Sequence, residues 1–252
     1  MLAIERHKKI LDILNTQSAV SVSSLSSVLN VTEETVRRDL EKLEKNEELI
    51  RTHGGAVAID KNLSEFSYQR RKNAFINEKM ALAKEAAKNI NAWDRIFLDA
   101  STTTYYISKE IKNISNLTVI TNSLRIIEEL YNSNIKVIGV GGILSENKSF
   151  VGSIAEDNID NNFFANKMFF SAKGFTDNGL ILEGGEEECG IKKKMLKNSK
   201  TKYFLCDKSK FGKVGHIKLT DVENVDVLIT DKTFTEDEKK FFEDKNIKLT
   251  VI

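Results

Sequence analysis

Apolar residues recur at helical spacing three times within the first 45 positions of the chain. They predict an amphipathic helix from Ile4 to Leu14 and a short second helix that Ser23 or Ser24 caps. A third helix begins after the turn at Asn30–Val31 and runs to about Lys45. The apolar positions assigned to the second and third helices are Leu25, Val28, Leu29, Val36, Leu40 and Leu43.

The segment Leu49–Val57 predicts a two-stranded wing that turns at Gly54–Gly55. We therefore expect a small α+β domain over residues 1–57. Residues 58–74 are polar with little periodicity, and they predict a linker whose Arg70–Arg71–Lys72 cluster stays close to this first domain.

From residue 75 to residue 252 the pattern changes to strands that alternate with helices. This alternation is typical of an α/β domain, in which crossover helices connect the strands of a parallel sheet. The predicted strands are 95–99, 118–121, 136–140, 167–170, 202–206, 225–230 and 247–251, and the predicted helices are 76–90, 104–112, 124–132, 187–198 and 236–243.

The third helix carries polar and basic residues opposite its apolar stripe, after a short helix and a tight turn. This is the winged helix-turn-helix arrangement that places a helix in the major groove of DNA. Either Arg37 or Arg38 can read a guanine edge, Thr35 can position the helix, and the wing residues Arg51 and His53 can contact phosphate. The candidate DNA-contacting residues are Thr32, Glu34, Thr35, Arg37, Arg38, Arg51 and His53.

An alternative is that the two arginines form an ordinary solvated helix face, paired with Glu33, Glu34 or Glu41. The adjoining wing favours the DNA-binding interpretation. The net charge of the first domain does not favour DNA binding, because residues 1–57 contain eight Lys or Arg and nine Asp or Glu, which gives −1. We therefore expect a homodimer or homotetramer that spans two operator half-sites.

Hydroxyl and acidic residues follow the predicted strands at their carboxyl ends, where parallel sheets bind ligands. The segment IFLDASTTTYYISKEI places a carboxylate and four hydroxyls at a helix start, which favours an anion, although one of these residues can also serve as a simple N-cap. Glu188 and Lys192 can pair on a helix face, and Lys208 can neutralise a phosphate. The candidate effector-binding residues are Asp99, Ser101, Thr102, Thr103, Thr104, Thr121, Asn122, Ser123, Gly141, Gly142, Lys173, Gly174, Glu188 and Lys208.

The segments ERHKKILDIL, TVRRDLEKLEK and LIRTHGGA resemble the N-terminal signature of the DeoR family of transcription regulators. The second half resembles the sensor domain of that family, which is similar to the ribose-5-phosphate isomerase and CoA-transferase fold. The motifs that match are Asp99–Thr103, Thr121–Ser123, Gly141–Gly142, Glu188–Lys192 and Asp207–Lys210. The resemblance implies a phosphorylated sugar as effector and operator DNA as partner.

Two positions depart from the family pattern. The sequence SAKG places Lys173 where an acid is common, and Ala100 replaces a frequent glycine. We expect the lysine to favour a more anionic effector. In isomerases of this fold, acids occupy the loop that reads SAKG in this chain. The sequence therefore predicts that the chain binds its ligand without turning it over and has no catalytic residue. The alternative is a sugar-phosphate isomerase or a CoA transferase. A phosphosugar-binding protein whose helical module contacts another protein is a third possibility.

Composition adds limits to these expectations. The 38 basic and 37 acidic residues cancel, so no global field draws the chain to nucleic acid or membrane. The two cysteines have no metal-ligand spacing, which predicts neither a metal site nor a disulfide framework, and no cofactor is expected. The charged first residues and the short apolar run Val137–Leu144 predict neither a signal peptide nor a membrane span, so we expect a cytoplasmic repressor that an effector releases from DNA.

Overall fold

The structure is a computed structural model that describes residues 3–17, 19–45, 48–58, 68, 71–72 and 74–252. The chain forms two compact units, residues 1–64 and 65–252. Most of the predicted linker lies outside the described residues, so its boundaries stay a prediction. Among the described residues, no helix is both long and apolar enough to cross a membrane.

The first unit contains three helices and a three-stranded antiparallel sheet with strand order β1-β3-β2 among its described residues. Their bounds are α1 Ala3–Gln17, β1 Ala19–Ser21, α2 Val22–Leu29, α3 Glu33–Lys45, β2 Leu49–Thr52 and β3 Gly55–Ala58. The wing is confirmed as β2 and β3, and β1 extends it because Val20 pairs with Ala56.

The second helix differs from its prediction at both its start and its buried face. Ser21, not Ser23 or Ser24, is the N-cap, because its hydroxyl accepts a hydrogen bond of 3.1 Å from the Ser24 amide. The earlier start brings Val22 into the core and leaves Val28 56% exposed.

The second unit is built on a seven-stranded parallel sheet with strand order β15-β14-β12-β9-β4-β5-β6. Its strands are β4 Arg95–Leu98, β5 Thr118–Thr121, β6 Lys136–Gly139, β9 Ala165–Phe170, β12 Ser199–Leu205, β14 Val227–Thr230 and β15 Lys248–Val251. Its helices are α4 Ile76–Ala87, α5 Thr102–Glu110, α6 Leu124–Leu130, α7 Ser153–Asn162, α8 Glu186–Lys197 and α9 Glu236–Glu243. Short strands form a hairpin, β7 Ile143–Leu144 with β8 Phe150–Val151, and a small antiparallel sheet of β10 Gly174–Phe175, β11 Leu180–Glu183 and β13 Ile217–Asp221.

The sheet has apolar cores on both faces, and its topology marks one place for a ligand. Phe169 and Phe170 are consecutive on β9 but belong to different cores. From β4 the chain proceeds outward through β5 and β6, then returns to β9 on the other side of β4 and continues outward through β12, β14 and β15. The topological switch point therefore lies between β4 and β9, where the loops that follow these two strands diverge.

The predicted alternation of strands and helices is confirmed, with shifts of a few residues at the ends. Helix α5 begins at Thr102, two residues before its predicted start, because Ser101 caps it by accepting from the Thr104 amide at 3.2 Å. The sequence did not predict α7 or the short antiparallel strands.

Candidate nucleic-acid interface and effector site

Helix α3 presents its predicted DNA-contacting residues on its exposed side. The Thr32 hydroxyl caps the helix, accepting from the Thr35 amide at 3.3 Å and lying 2.9 Å from the Thr35 hydroxyl. Val36, Leu40 and Leu43 are buried on the opposite side, as the sequence predicts.

Both candidate arginines are exposed, and each pairs with a glutamate one turn earlier. Arg37 donates to Glu33 at 3.0 Å and Arg38 to Glu34 at 3.3 Å, and the Arg38 side chain is 74% exposed. Such exposed i,i+4 pairs contribute about 0.3–0.5 kcal/mol. The two guanidinium groups are therefore free to exchange these partners for phosphate or a base edge at little cost.

In the wing, Arg51 lies on β2 and His53 on the turn that follows it, and both residues are exposed. The backbone amide of Arg51 donates to Glu44 of α3 at 3.3 Å, which ties the wing to α3. Gly55 is required for packing, because a Cβ there would lie 1.9 Å from the carbonyl oxygen of Val20.

A buried ionic contact anchors α3 to α1. Asp39 is 2% exposed and accepts hydrogen bonds from Arg6, including one of 3.0 Å from Nη2, and from His7 at 3.0 Å. Burial opposes the ionisation of Asp39, but the Arg6 and His7 hydrogen bonds outweigh it and hold the Asp39 pKa below its ordinary value. Asp39 was not among the predicted site residues, although its place on the apolar stripe beside Leu40 was a usable signal.

In the second unit, Asp99 lies at the topological switch point and organises the loops around it. Its carboxylate accepts from the Thr104 hydroxyl at 2.7 Å, from the Ser101 amide at 3.2 Å and from the Ser171 amide at 3.3 Å. Lys192 approaches the same carboxylate at 2.9 Å. The residues that follow β4 and β9 are thus brought together, as the sequence predicts.

The four hydroxyl residues after Asp99 differ in their surroundings. Ser101 caps α5 and Thr104 bonds to Asp99 from a buried position. Thr102 and Thr103 are also buried, and the Thr103 hydroxyl has no hydrogen-bond partner within the described part of the chain. N-capping, the alternative that the sequence left open, therefore accounts for Ser101 but not for Thr103.

The predicted pairing of Glu188 with Lys192 is wrong. Lys192 instead donates to Glu183 and to the Ser171 carbonyl oxygen at 2.7 Å, while Glu188 accepts from Ser149. The i,i+4 spacing allows a pair on one helix face, but two buried carboxylates, Asp99 and Glu183, already surround the Lys192 ammonium.

The loop after β5 joins this network through Asn122, whose side-chain amide donates to Glu188 at 3.4 Å and to the Phe150 carbonyl oxygen at 3.3 Å. Its Oδ1 is a buried acceptor without a donor in the described ranges. Thr121 accepts from the Ser123 amide at 3.0 Å, and Ser123 caps α6. A ligand hydroxyl is the kind of group that Asn122 Oδ1 lacks.

The predicted glycines allow backbone conformations and close approaches that a side chain would prevent. Gly141 and Gly142 both have positive φ, 71° and 111°. A Cβ on Gly142 would lie 2.8 Å from that of Ala155, whereas the space beside Gly141 is open to 4 Å. A Cβ on Gly174 would lie 2.0 Å from the Lys213 carbonyl oxygen. Gly142 and Gly174 thus permit close packing, and Gly141 permits close approach from outside.

Lysines converge on the ends of β9 and β12, but Lys208 lies at their margin. Lys208 is exposed and its ammonium is 3.8 Å from Asp231. Lys210, which was not a candidate, donates to the Ser171 hydroxyl at 2.6 Å. Burial lowers the pKa of Lys173, and the charges of Lys213 and Lys210 lower it further.

Lys79 of α4 belongs to the same cationic group, which consists of Lys79, Lys173, Lys210 and Lys213. Lys79 is buried and donates to the carbonyl oxygens of Arg71 and, at 2.7 Å, Ala74. Burial, and then the charge of Lys210, lower its pKa to about 8. The lowered pKa values of Lys79 and Lys173 mean that their surroundings disfavour the charged form of these lysines. A bound anion would stabilise that charged form.

Arg71 and Lys72, two members of the predicted basic cluster, belong to the second compact unit. Tyr106 donates to the Lys72 carbonyl oxygen at 3.1 Å, and the Lys72 ammonium lies 4.2 Å from the centre of the Tyr105 ring. These contacts hold the segment on α5, which follows the Asp99 loop. Among the residues described, no group of three or more His, Cys, Asp or Glu is placed to hold a metal ion.

Comparison with known proteins divides the chain in the same way. Residues 6–62 match the DeoR-like helix-turn-helix domain, and residues 74–232 match the DeoR C-terminal sensor domain. Over 254 residues the chain is 43% identical to YulB, an HTH-type transcriptional regulator of Bacillus subtilis, covering all of this chain and 98% of that protein.

Two further relatives have names that state what they regulate. The L-fucose operon activator of Haemophilus influenzae is 35% identical, covering 98% of this chain and 99% of that protein. The lactose phosphotransferase system repressor of Staphylococcus epidermidis is 33% identical, covering 94% and 95%. A ribose-5-phosphate isomerase in complex with phospho-erythronic acid is similar in structure, with a TM-score of 0.41 and 19% identity over 53% of this chain and 52% of that one.

Proposed function

Because the chain belongs to the DeoR family of transcription regulators, we propose that it represses a sugar-metabolism operon and that a phosphorylated sugar releases it from the operator. The observation that carries the effector half of this proposal is the convergence of Asp99, Ser171 and the cationic group at the switch point of the parallel sheet.

The DNA half rests on the exposure of α3 and the wing. Among the described residues, Arg37 and Arg38 pair only with exposed glutamates, so operator phosphates and base edges can replace those partners. The buried Asp39 contact fixes the angle at which α3 presents them. Roles for Thr32, Glu34, Thr35, Arg51 and His53 follow from their place on the same exposed surfaces.

The effector half rests on charge and on unsatisfied polar atoms. Lys79 and Lys173 have lowered pKa values beside Lys210, so a phosphate dianion there would be stabilised by several ammonium groups at once. Asn122 Oδ1 offers a buried acceptor for a sugar hydroxyl. These features support a ligand with both a strong negative charge and hydroxyl donors, which is the chemistry of a sugar phosphate.

We infer that the chain acts as a homodimer or homotetramer. The first 57 residues carry a net charge of −1, so a single module lacks the positive charge that holds a protein on DNA. Two modules on half-sites about 10 base pairs apart would double the specific contacts. Sedimentation of the protein on operator DNA measures this directly.

DNA binding is tested by fluorescence anisotropy on the intergenic DNA upstream of the gene. We expect Arg38→Ala to weaken binding by about 1–3 kcal/mol if it reads a base, or to reduce the salt slope by about 1 if it contacts phosphate. Lys200→Ala, an exposed change in the second unit, is the matched control. Wild-type binding by the Arg38 variant in both respects would contradict the assignment of Arg38.

Effector action is tested by adding sugar phosphates to the complex with DNA. An effector that lowers operator affinity by some factor must lose the same factor of its own affinity when DNA is bound. Titrations in both directions measure the two factors. Release of DNA without this reciprocity would contradict the proposed mechanism.

A further inference from the structure

The segment that precedes α4 contacts α4 and α5, and α5 begins in the loop that carries Asp99. Lys79 holds the carbonyl oxygen of Arg71, and Tyr106 holds that of Lys72. Tyr68, three residues before Arg71, is 1% exposed. These contacts all lie within the second unit, and only nine residues separate Tyr68 from the end of β3 at Ala58.

The Tyr68 ring contacts a cation of α6, the helix that follows β5. The Arg125 guanidinium of α6 stacks over the Tyr68 ring, 3.5 Å from its centre, and also donates to the carbonyl oxygen of Asn147. Asn147 lies between β7 and β8, and Ser149 in the same turn donates to Glu188. Arg125 therefore links the Tyr68 ring to the turn between β7 and β8, and this turn contacts the candidate effector residue Glu188.

The Tyr68 hydroxyl is buried and has no hydrogen-bond partner in the part of the chain that the structure describes. Burial raises the pKa of this phenol to about 12, the charges of Arg125 and Arg71 oppose that rise, and Asp99 is close enough to add to it. A buried phenol without a partner costs free energy, and a bound group that accepts its hydrogen bond recovers that cost.

We propose that Tyr68 is an effector-binding residue, and that its hydroxyl donates a hydrogen bond to an oxyanion of the effector beside Arg71 and Arg125. This assignment rests on the proposed function in one respect, namely that the effector occupies the site next to Asp99. It adds that the effector contacts the segment that leads back to the DNA-binding unit, so that ligand binding acts directly on the connection between the units.

The test is Tyr68→Phe, which removes the hydroxyl and keeps the ring under Arg125. The probes are inorganic phosphate, ribose 5-phosphate, glucose 6-phosphate and fructose 1-phosphate, and the probe that raises the melting temperature of the wild-type protein most is used for calorimetric titration. We expect the variant to bind that probe about tenfold more weakly, as for the loss of one hydrogen bond to a charged group. Without the probe, the variant should melt at or above the wild-type temperature, because the unsatisfied hydroxyl is gone.

Tyr203→Phe is the matched control. Tyr203 is also buried and its ring stacks on Phe169, but its phenol is near Asp94 and Asp226, which precede β4 and β14 at the opposite edge of the sheet. This variant should keep the wild-type affinity for the probe.

The possible outcomes separate the two proposals. If no probe stabilises the wild-type protein, the proposed function is contradicted and this assignment falls with it. If the wild-type protein binds a probe and Tyr68→Phe binds it equally well, only the assignment of Tyr68 is overturned. A variant that melts lower without the probe yet keeps full affinity would also overturn it, because the hydroxyl would then have a structural role.

Discussion

Replacing Lys192 by methionine should destabilise the second unit strongly, because it leaves two buried carboxylates facing each other. Lys192 is 5% exposed and lies 2.9 Å from Asp99, which is fully buried, while its ammonium also donates to Glu183. Breaking a buried ion pair by removing one partner costs about 3–5 kcal/mol. We expect the upper part of that range at about pH 8, because the Lys192 ammonium contacts both carboxylates and its removal affects both at once.

The loss should depend on pH in a definite direction. In the wild-type protein burial opposes the charge of Lys192, but the two carboxylates outweigh it and raise the Lys192 pKa. Its contribution to stability is therefore complete below its unfolded pKa of 10.5 and constant between about pH 5 and 8. In the variant, the two buried carboxylates have lost the ammonium that balanced them, and burial without a counter-charge disfavours the charged form of a carboxyl group. The folded variant then binds protons that the unfolded chain does not, so its deficit should grow as the pH rises from about 5 to 8.

Hydrogen exchange of peptides that cover β4 and β9 measures this loss in the second unit alone. A melting temperature does not isolate it, because the chain has two compact units that both unfold on heating. Lys193→Met is the control, because Lys193 is exposed beside Lys192 and should change stability by less than about 0.5 kcal/mol. Adding Glu183→Gln to the Lys192 variant should restore part of the loss. A loss below about 1 kcal/mol at pH 8, or a larger loss at pH 5, would refute the reasoning.

Three further predictions concern the two units. Asp39→Asn should lower the free energy of unfolding of the first unit by about 3 kcal/mol and speed hydrogen exchange of α3, and unchanged exchange would count against an anchoring role. Gly55→Ala places a methyl group 1.9 Å from the Val20 carbonyl oxygen and should cost about 1–3 kcal/mol by urea unfolding, whereas Gly54→Ala, with open space around it, should cost less. The Lys79 pKa of about 8 is below its unfolded value of 10.5, so the unfolded chain binds more protons than the folded one between these two pH values. The stability of the protein should therefore increase as the pH rises through this interval. Lys79→Met should lose that increase, which a series of melting curves at different pH measures.

The sequence predicted the sheet well because the parallel strands are buried and apolar. Phe169 and Phe170, for example, give β9 a continuous apolar run that only a strand buried on both faces needs. Helix α7 was missed because only Ala155 and Ile159 of its ten residues are buried, too few for a visible stripe. The strands of two residues have no periodicity to detect.

The candidate site was predictable as a set of loops, but not as a set of contacts. Parallel topology alone brings the residue after β4 to the residue after β9, and so Asp99 meets Ser171. One partner of Lys192, Glu183, lies on β11, which the sequence did not reveal. Even so, Lys192 lies between the buried residues Cys189 and Met195 at helical spacing, and a lysine in such a stripe indicates a buried ion pair. Tyr68 gave no such signal, because its burial depends on Arg125, which is distant in sequence.

Polar groups that already have partners, and those that do not, indicate where a bound ligand can change the contacts of the protein. The Asp99–Lys192–Glu183 cluster is paired internally, so it forms a rigid base that a ligand has little reason to rearrange. Within the described part of the chain the Tyr68 hydroxyl has no hydrogen-bond partner, and burial disfavours the charge of Lys79. Tyr68 belongs to the segment that precedes α4, and Lys79 donates to a carbonyl oxygen of that segment. A ligand that satisfies one hydrogen bond and one or two charges there can supply about 1–3 kcal/mol of coupling, or about 5- to 150-fold in operator affinity. A coupling free energy of this size can release DNA without a rearrangement of the sheet.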